Sequence, residues 1–288
     1  MPQTINTNIA SLNAQRNLGM NQSSLATAMQ RLSSGLRVNS AKDDAAGLAI
    51  AERMSSQVRG MNVAVRNAND GISLAQTAEG ALGKVADSLQ RMRELAVQSA
   101  NDTNSGSDKD SLDKEFGELA KEIQRVLGAT TFNGKHVLGS EAGNLQFQVG
   151  ANTTTNDTID ISTFDLTTDA SITAVAGTNN TGASRSVIDA TANTTAIHGV
   201  IDAIDTALTT VNSQRATLGA SQSRFDSVIS ILQVSVENQT AARSRIMDAD
   251  FASETANLSR SQILQQAGNA MVAQANQLPN QVLKLLQG

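Results

Sequence analysis

Proline is absent from residue 3 to residue 278 of this 288-residue chain, because its only two prolines are Pro2 and Pro279. Proline breaks or kinks a helix when it lies in the helix interior, so its absence permits long, continuous helices. Over several stretches the apolar residues are spaced alternately by three and four positions, which is the heptad pattern of coiled coils. With no Trp, no Tyr and six Phe, the chain suits thin helical seams better than a large globular core.

The two ends of the chain are amphipathic arms that carry very few charges. Arg16, Arg31 and Arg37 are the only charged residues between positions 3 and 40, and Arg260 is the only one between 255 and 283. A solvated helix normally exposes a charged face. Here that face consists of Asn, Gln, Ser and Thr, which cost less to bury. We therefore expect both arms to be surrounded by protein, most simply by other copies of the chain. The residues expected to pack between subunits are Leu25, Met29, Leu32, Leu36, Leu264, Met271, Leu278, Val282 and Leu285.

Two long heptad stretches between the arms predict a pair of antiparallel rods. The first runs from about residue 54 to 96, and the second keeps 4–3 spacing from Ile197 to Val236, a length of roughly 60 Å. A shorter helix with apolar positions from Leu112 to Val126 follows the first rod. The residues predicted to form the seam between the rods are Met54, Val58, Met61, Leu208, Val211, Leu218, Phe225 and Leu232.

Only Arg215 and Gln222 interrupt the apolar positions of the second rod. A polar residue in a coiled-coil seam can fix the register and the number of helices. Alternatively, a long polar side chain can extend out of the seam to reach solvent. The sequence leaves both interpretations open.

The middle of the chain changes from helical to alternating spacing. The Asn133-Gly134 pair predicts a tight turn, and the alternating residues after it predict short strands and hairpins. Residues 152–195 are rich in Thr, Asn, Ala and Gly, with five aspartates and one arginine, so we expect an acidic, solvent-facing segment with little fixed structure in places. The residues that alternate with polar neighbours are Leu145, Phe147, Val149, Ile159 and Ile161.

The predicted fold is mostly α-helical: long coiled-coil helices from both termini pack as an antiparallel bundle, with a small β-hairpin region in the middle of the chain. The expected divisions are an N-terminal arm (1–45), a helical rod with β-hairpins (46–176), a short surface turn (177–195), a second rod helix (196–244) and a C-terminal arm (245–288). Because Pro279 lies within the last heptads, a kink or a helix restart is expected there.

The sequence lacks the patterns of the common catalytic and metal sites. It has no cysteine, and its two histidines, His136 and His198, belong to no HExxH pattern. No GxSxG elbow, P-loop or GxGxxG occurs. The aspartates at 43–44 and 248–250 precede helical stretches, so we expect them to cap helices rather than to bind metal. We predict no enzymatic activity, no metal and no cofactor.

The charge and the N-terminal sequence limit the partners of the chain. A net charge of −5 and a pI near 5.1 argue against general nucleic-acid binding. The N-terminus lacks the basic and apolar regions of a secretory signal peptide, and no stretch approaches the roughly 20 apolar residues of a membrane span. We expect no membrane insertion, and export, if it occurs, by a route that needs no signal peptide.

For an amphipathic arm without a partner, the free-energy cost of ordering the chain exceeds the free energy gained by burying its apolar residues. Residues 1 to about 45 and 245 to 288 are therefore expected to be disordered in the free monomer and to fold on polymerisation. A subunit whose two arms present different apolar surfaces makes head-to-tail contacts with its neighbours. Such contacts propagate into a helical filament unless they close into a ring.

Five motifs, in this order along the chain, resemble bacterial flagellin. The resemblance covers about residues 1–165 and 196–288. The motifs are RLSSGLR at 31–37, NSAKDDAAG at 39–47, RNANDGIS at 66–73, RMRELAVQ at 91–98 and SQILQQAG at 261–268.

The resemblance implies a subunit of the extracellular bacterial flagellar filament, used for swimming. The paired arms would form the inner tube of the filament (D0), and the rods would form the next shell (D1). Export would pass, unfolded, through the flagellar type III channel. The implied partners are many identical subunits, a flagellar export chaperone, the type III export apparatus, and the cap and junction proteins. The short segment between the rods implies a flagellin without outer variable domains.

The resemblance also implies recognition by innate immune receptors. The positions that match the Toll-like receptor site are Arg91, Leu95 and Glu115. Those that match the segment recognised by cytosolic inflammasome sensors are Val282, Leu283, Leu285 and Leu286. Both sets have a second interpretation, since the same faces are expected to pack against neighbouring subunits.

Two other classes of protein remain. A hook–filament junction protein shares the terminal helices and the export route, and would assemble a ring or two rather than a long polymer. An enzyme secreted by a type III route is the second alternative, and the absence of a nucleophile–base or metal constellation argues against it.

Overall fold

Helices account for most of the chain in the computed structural model, which describes the backbone of residues 7–286 and the side chains of residues 7–277. The predicted fold class is confirmed. The elements in chain order are α1 (Ile9–Ser34), α2 (Ala45–Ser99), α3 (Gly106–Ala129), β1 (Thr131–Phe132), β2 (Lys135–His136), β3 (Asn144–Gln148), β4 (Thr158–Ser162), α4 (Ala170–Ala176), α5 (Thr194–Met247) and α6 (Phe251–Leu286).

Contacts divide the chain into two units. The arm unit comprises Met1–Ser56 and Glu237–Gly288, and the rod unit comprises Gln57–Val236. Within the arm unit α1 packs against α6 in antiparallel fashion, because Asn8 contacts Ala275 while Arg31 contacts Glu254.

Helix starts follow the predicted capping residues. Asp44 precedes α2, and its Oδ1 accepts a hydrogen bond of 2.7 Å from the amide of Gly47. Asp250 precedes α6 and accepts from the amides of Ala252 and Ser253. These bonds satisfy amides that the first turn of a helix cannot pair internally. The restart expected at Pro279 does not occur, as α6 continues to Leu286.

The rod unit is built on antiparallel α2 and α5, with α3 packed beside them. The buried residues of α3 recur at helical spacing and join one core with residues of α2 and α5. A capping box starts α3, because Ser105 accepts from the amide of Asp108 while the Asp108 carboxylate accepts from Ser105. The buried apolar residues of α3 are Phe116, Ala120, Ile123 and Leu127.

Two antiparallel hairpins form the predicted β region. Strands β1 and β2 meet at a two-residue turn in which Asn133 and Gly134 both have positive φ, 50° and 82°. Strands β3 and β4 pair over five residues each, and Ile159 and Ile161 of β4 are buried. The Phe147 ring of β3 contacts the Phe225 ring of α5 edge-on, with centroids 5.7 Å apart.

The segment 152–195 is more ordered and more buried than its composition predicts. It contains strand β4 and helix α4, which Asp169 caps by accepting from the amide of Ser171. Its few large apolar side chains point into the rod core, which anchors the polar residues around them. The expectation of a solvent-facing segment was therefore wrong for these positions: Leu166, Ile172, Val175, Ala176 and Ile188.

Candidate assembly interface

The hairpin of α1 and α6 in the arm unit is held by small and polar residues. Among the side chains described through residue 277, Ala28 and Ala275 are its buried apolar residues, and Ser11 and Ser261 are buried as well. Hydrogen bonds tie the two helices together where α1 begins, since Ser11 Oγ donates to Asn276 Oδ1 at 2.7 Å. The larger apolar residues of both helices are therefore half-buried or exposed in the part of the hairpin whose side chains are described.

Large apolar side chains of the arm unit project into solvent. Eight of them, on α1 and α6, are between 43% and 67% exposed. A soluble monomer scatters exposed apolar residues singly, whereas many along one helical hairpin are typical of a surface that associates with protein. These residues are Ile9, Leu12, Met20, Met29, Phe251, Ile263, Leu264 and Met271.

One ion pair joins the arms inside the hairpin. Arg31 Nη1 lies 3.0 Å from Glu254 Oε1, and the Glu254 side chain is almost fully buried. Hydrogen bonds from Asn257 and from Arg31 lower the pKa of Glu254 below its ordinary value. The pair therefore keeps the buried carboxylate charged and fixes how the two helices face each other.

The residues predicted to pack between subunits fall into three groups. Met29, Leu264 and Met271 are exposed, whereas Leu25 and Leu32 are half-buried. Leu36 is half-buried against a small cluster around Val38, Ala51 and Met247. The third group, Leu278, Val282 and Leu285, lies outside the residues whose side chains are described, as do Leu283 and Leu286.

The two linkers that lead into α2 and α6 are hydrogen-bonded to each other within the arm unit. The amide of Arg37 donates to Met247 O at 2.6 Å, and its guanidinium donates to Ile246 O at 2.7 Å. The amide of Ala249 donates to Gly35 O at 2.9 Å. Arg37 therefore satisfies carbonyls at the end of α5. This role of Arg37 was not predicted; the available signal was an arginine two residues beyond Gly35, which ends α1.

Most of the predicted seam residues lie between α2 and α5 in the rod unit. The fully buried members pack in its core, while Val58 and Leu208 are half-buried. Met54 is half-buried and belongs to the arm unit. The buried seam residues are Met61, Val211, Leu218, Phe225 and Leu232.

The two polar positions of the seam meet the same carboxylate. Gln222 Nε2 donates to Glu79 Oε2 at 2.9 Å, and Arg215 Nη2 lies 4.0 Å from Glu79 Oε1. All three residues are partly buried. Both side chains therefore bind across the seam to α2, which favours a role in register over simple extension to solvent.

The three residues of the implied Toll-like receptor site are not equally accessible. Arg91 is exposed, and its Nε lies 2.8 Å from Glu115 Oε1 while its Nη1 lies 2.9 Å from Glu94 Oε2. Hydrogen bonds from Arg91 to Glu115 and then to Glu94 raise the pKa of Arg91. Leu95 is 1% exposed and belongs to the rod core, because it lies on the inward face of α2 with Met92. Only the two charged residues are thus surface groups.

The described residues contain no cluster of three or more His, Asp or Glu arranged to hold a metal ion. His198 is exposed, and His136 is half-buried in the short β2 strand. In the part of the chain that the structure describes, no helix combines the length and the apolar character required to cross a membrane.

A charge-poor helical hairpin that exposes large apolar residues, joined to a well-packed coiled-coil unit, defines a structural protein built for self-association. The family models agree with this class and are specific. The model described as the bacterial flagellin N-terminal helical region matches residues 5–142, and that of the C-terminal helical region matches residues 201–286.

Individual relatives match over nearly the full chain. A flagellin of Halalkalibacterium halodurans is 47% identical over 282 residues, which cover 98% of this chain and 99% of the relative. A flagellin of Xenorhabdus nematophila is 45% identical over 314 residues, which cover 99% of this chain and 100% of the relative. Among solved structures, Bacillus cereus flagellin is 31% identical with a TM-score of 0.46, covering 58% of this chain and 88% of that one.

The chain belongs to the bacterial flagellin family. It is a structural protein and not an enzyme. As a flagellin it is a component of the extracellular flagellar filament, which is a polymer of identical subunits.

Proposed function

We propose that the arm unit drives polymerisation by packing its exposed apolar residues against the arms of neighbouring subunits. In this proposal residues 1–45 and 245–288 form the inner tube of the filament. Residues 46–176 and 196–244 form the next shell, and residues 177–195 form a turn on the outer surface. The observation that supports the proposal is the eight large apolar side chains of α1 and α6 that the hairpin leaves exposed. Burying them between subunits would supply the association free energy, at about 25 cal/mol for each Å² of apolar surface.

Electron microscopy of the purified monomer after addition of a precipitating salt tests this proposal. The full chain is expected to form long filaments, and a chain trimmed to residues 46–244 is expected to form none. Both proteins are checked for helicity by circular dichroism, so that loss of folding is not mistaken for loss of assembly. Short rings from the full chain would indicate a hook–filament junction protein instead, and filaments from the trimmed chain would remove the arms from the mechanism.

The arms are further proposed to be disordered in the free monomer and to fold on assembly. Their helices bury few large side chains in the described hairpin, so little apolar contact offsets the entropy of ordering them. Hydrogen exchange of the monomer is expected to show unprotected amides throughout α1 and α6, with protected amides in the rod core. Equal protection in both units would contradict this proposal.

Export through the flagellar type III channel, with a dedicated chaperone, is proposed from the family resemblance. The chain contains no cysteine, so no disulfide opposes passage in an unfolded state. Secretion into the medium should therefore stop in cells whose flagellar export apparatus is inactivated. Secretion that continues in such cells would identify another route.

Recognition by host receptors is proposed at two places. The exposed ion pair of Arg91 and Glu115 supports a Toll-like receptor contact on the rod unit. In this proposal Leu95 packs α2 against the rod core and is not itself a surface contact. The inflammasome-sensor segment, Val282 to Leu286, is proposed from the sequence resemblance. The cap and junction proteins of the filament are proposed as further partners on the same ground.

A further inference from the structure

We propose that Glu79, Gln222 and Arg215 act as positioning residues that select the register in which α2 and α5 pair. Gln222 donates to one carboxylate oxygen of Glu79, and Arg215 lies beside the other. Arg215 Nε is buried without a hydrogen-bond partner, while the Arg215 and Glu79 side chains as a whole are 39% and 37% exposed, so the guanidinium lies at the edge of the seam. The inference concerns the folded monomer and does not depend on polymerisation.

The apolar seam by itself does not define one register. Its residues repeat every seven positions, so moving α5 along α2 by one heptad, about 10 Å, again places apolar residues against apolar residues. Such a slip would again pair apolar residues along the α2–α5 seam. A unique pairing therefore needs a feature that does not repeat at this interval.

The polar contact is such a feature because two polar seam positions, seven residues apart, share a single carboxylate. Only in the observed register does Glu79 lie between Arg215 and Gln222. A slip of one heptad would place Glu79 beside Leu208 in one direction and beside Ile229 in the other. In either case the half-buried carboxylate keeps one polar neighbour and has an apolar side chain in place of the other, so one of its two polar contacts is lost.

The polar residue left behind by a slip would also lose its partner. The α2 seam positions seven residues before and after Glu79 are Ile72 and Ala86, both packed in or against the rod core. Neither can accept a hydrogen bond through its side chain. A slip thus leaves an unpaired polar side chain as well as a half-paired carboxylate.

An independent contact specifies the same register by size. A Cβ added to Gly71 would lie 2.8 Å from Cζ of Phe225, so the ring occupies the space that glycine leaves on α2. After a one-heptad slip Phe225 would meet Ala64 or Ala78, where a methyl group already stands in a buried position. Because this contact alone could hold the register, a test of the polar contact has to remove it.

Thiol cross-linking of the full-length monomer measures the register directly, since the chain has no cysteine of its own. The native pair is R93C with D205C, because Arg93 Nε lies 2.7 Å from Asp205 Oδ1. The slipped pairs combine R93C with H198C or with N212C, seven residues to either side. Each pair is treated with a short bis-maleimide, and every protein also carries F225L to remove the size contact.

Three seams are compared in this background: the unmodified seam, an apolar seam with E79L, R215L and Q222L, and a conservative seam with E79Q. The unmodified and conservative seams are expected to cross-link the native pair alone, because a glutamine at position 79 can still bond Gln222. The apolar seam is expected to cross-link a slipped pair with at least a tenth of the native yield. A merely structural role for Glu79 would lower stability without producing a slipped product.

Helicity by circular dichroism accompanies each measurement, and E79A with R215A and Q222A replaces the leucine version if the larger side chains disturb packing. Cross-linking of the native pair alone in both apolar seams overturns the proposal. A slipped product from the unmodified seam overturns it as well, because the polar contact would then not be selective.

Discussion

Arg185 and Asp113 form a largely enclosed ion pair that ties the segment after α4 to helix α3. Arg185 Nη1 lies 2.8 Å from Asp113 Oδ1, and the side chains are 17% and 13% exposed. The same carboxylate oxygen accepts the amide of Ile188 at 3.0 Å, and the guanidinium lies 5.9 Å from the ring centroid of Phe116. Asp113 of α3 thus holds both the Arg185 side chain and the backbone beside the buried Ile188.

Replacing Arg185 by alanine is expected to destabilise the rod unit. Removal of one partner leaves the Asp113 carboxylate buried without its counter-charge, and breaking a buried pair in this way costs about 3 kcal/mol. Urea unfolding followed by circular dichroism measures the loss. The matched control is R125A, because Arg125 pairs with Glu122 on the surface and its loss should leave the urea midpoint nearly unchanged. Equal shifts of the urea midpoint in both variants would show that the buried Arg185 pair contributes no more to stability than the surface pair.

The same pair predicts a pH dependence of stability. Burial raises the pKa of Asp113, but hydrogen bonds from Arg185 and from the Ile188 amide, with the charge of Arg185, leave it below the ordinary value of 3.8. A carboxyl whose pKa is lowered by folding contributes stability above its unfolded pKa and loses that contribution as the pH falls through its folded pKa. The free energy of unfolding should therefore fall as the pH decreases below about 5, and D113N should flatten this fall. An unchanged pH profile in D113N would contradict the assignment.

The heptad spacing was sufficient to predict the long helices, their antiparallel pairing and the capping aspartates. It did not predict how α2 and α5 are aligned, because a seven-residue repeat matches itself at every heptad. The resemblance, rather than the spacing, grouped the buried Leu95 with two exposed residues. The Glu79 and Gly71 contacts, which we propose select the alignment, join residues far apart in sequence.

The segment 152–195 shows a second limit of sequence patterns. Its Thr, Asn and Gly content is typical of a solvated loop, and that average hid the apolar pair Ile172 and Val175 on a short helix. The pairing of Arg185 with Asp113 spans 72 positions, so no local pattern could predict it.

Two glycines of α2 are expected to respond oppositely to alanine. In Gly71→Ala the new methyl group would lie 2.8 Å from Phe225, so the ring must shift and the rod unit should lose stability, by about 1–3 kcal/mol. In Gly80→Ala nothing lies within 4 Å of the new Cβ. Because alanine loses less conformational entropy than glycine when the chain folds, this substitution should stabilise the helix by about 0.5–1 kcal/mol. Thermal unfolding of the two monomers compares them. Stabilisation by both substitutions would show that the Phe225 contact is not tight.

Arg91 is expected to be required for activation of a Toll-like receptor. Arginine side chains at the centre of an interface often dominate binding, so R91A should reduce potency by about tenfold or more in a reporter cell assay. R125A is the matched control, because it also removes an exposed arginine paired with a glutamate on the same rod unit. Equal potency of R91A and the unmodified chain would remove this residue from the proposed site.

A charge placed on the exposed apolar face of α6 is expected to block polymerisation without unfolding the monomer. Met271 is in solvent in the described hairpin, so M271D should leave monomer helicity and rod stability unchanged. In the proposed filament the same position is enclosed by neighbouring arms, where an unpaired carboxylate would be strongly unfavourable. If the buried carboxylate weakens subunit association by more than about 3 kcal/mol, the critical concentration for polymerisation rises more than a hundredfold. Sedimentation and electron microscopy measure this concentration, with N180D as a control that adds one charge to the exposed segment after α4. Filaments from M271D at the unmodified critical concentration would show that this face of α6 is not buried on assembly.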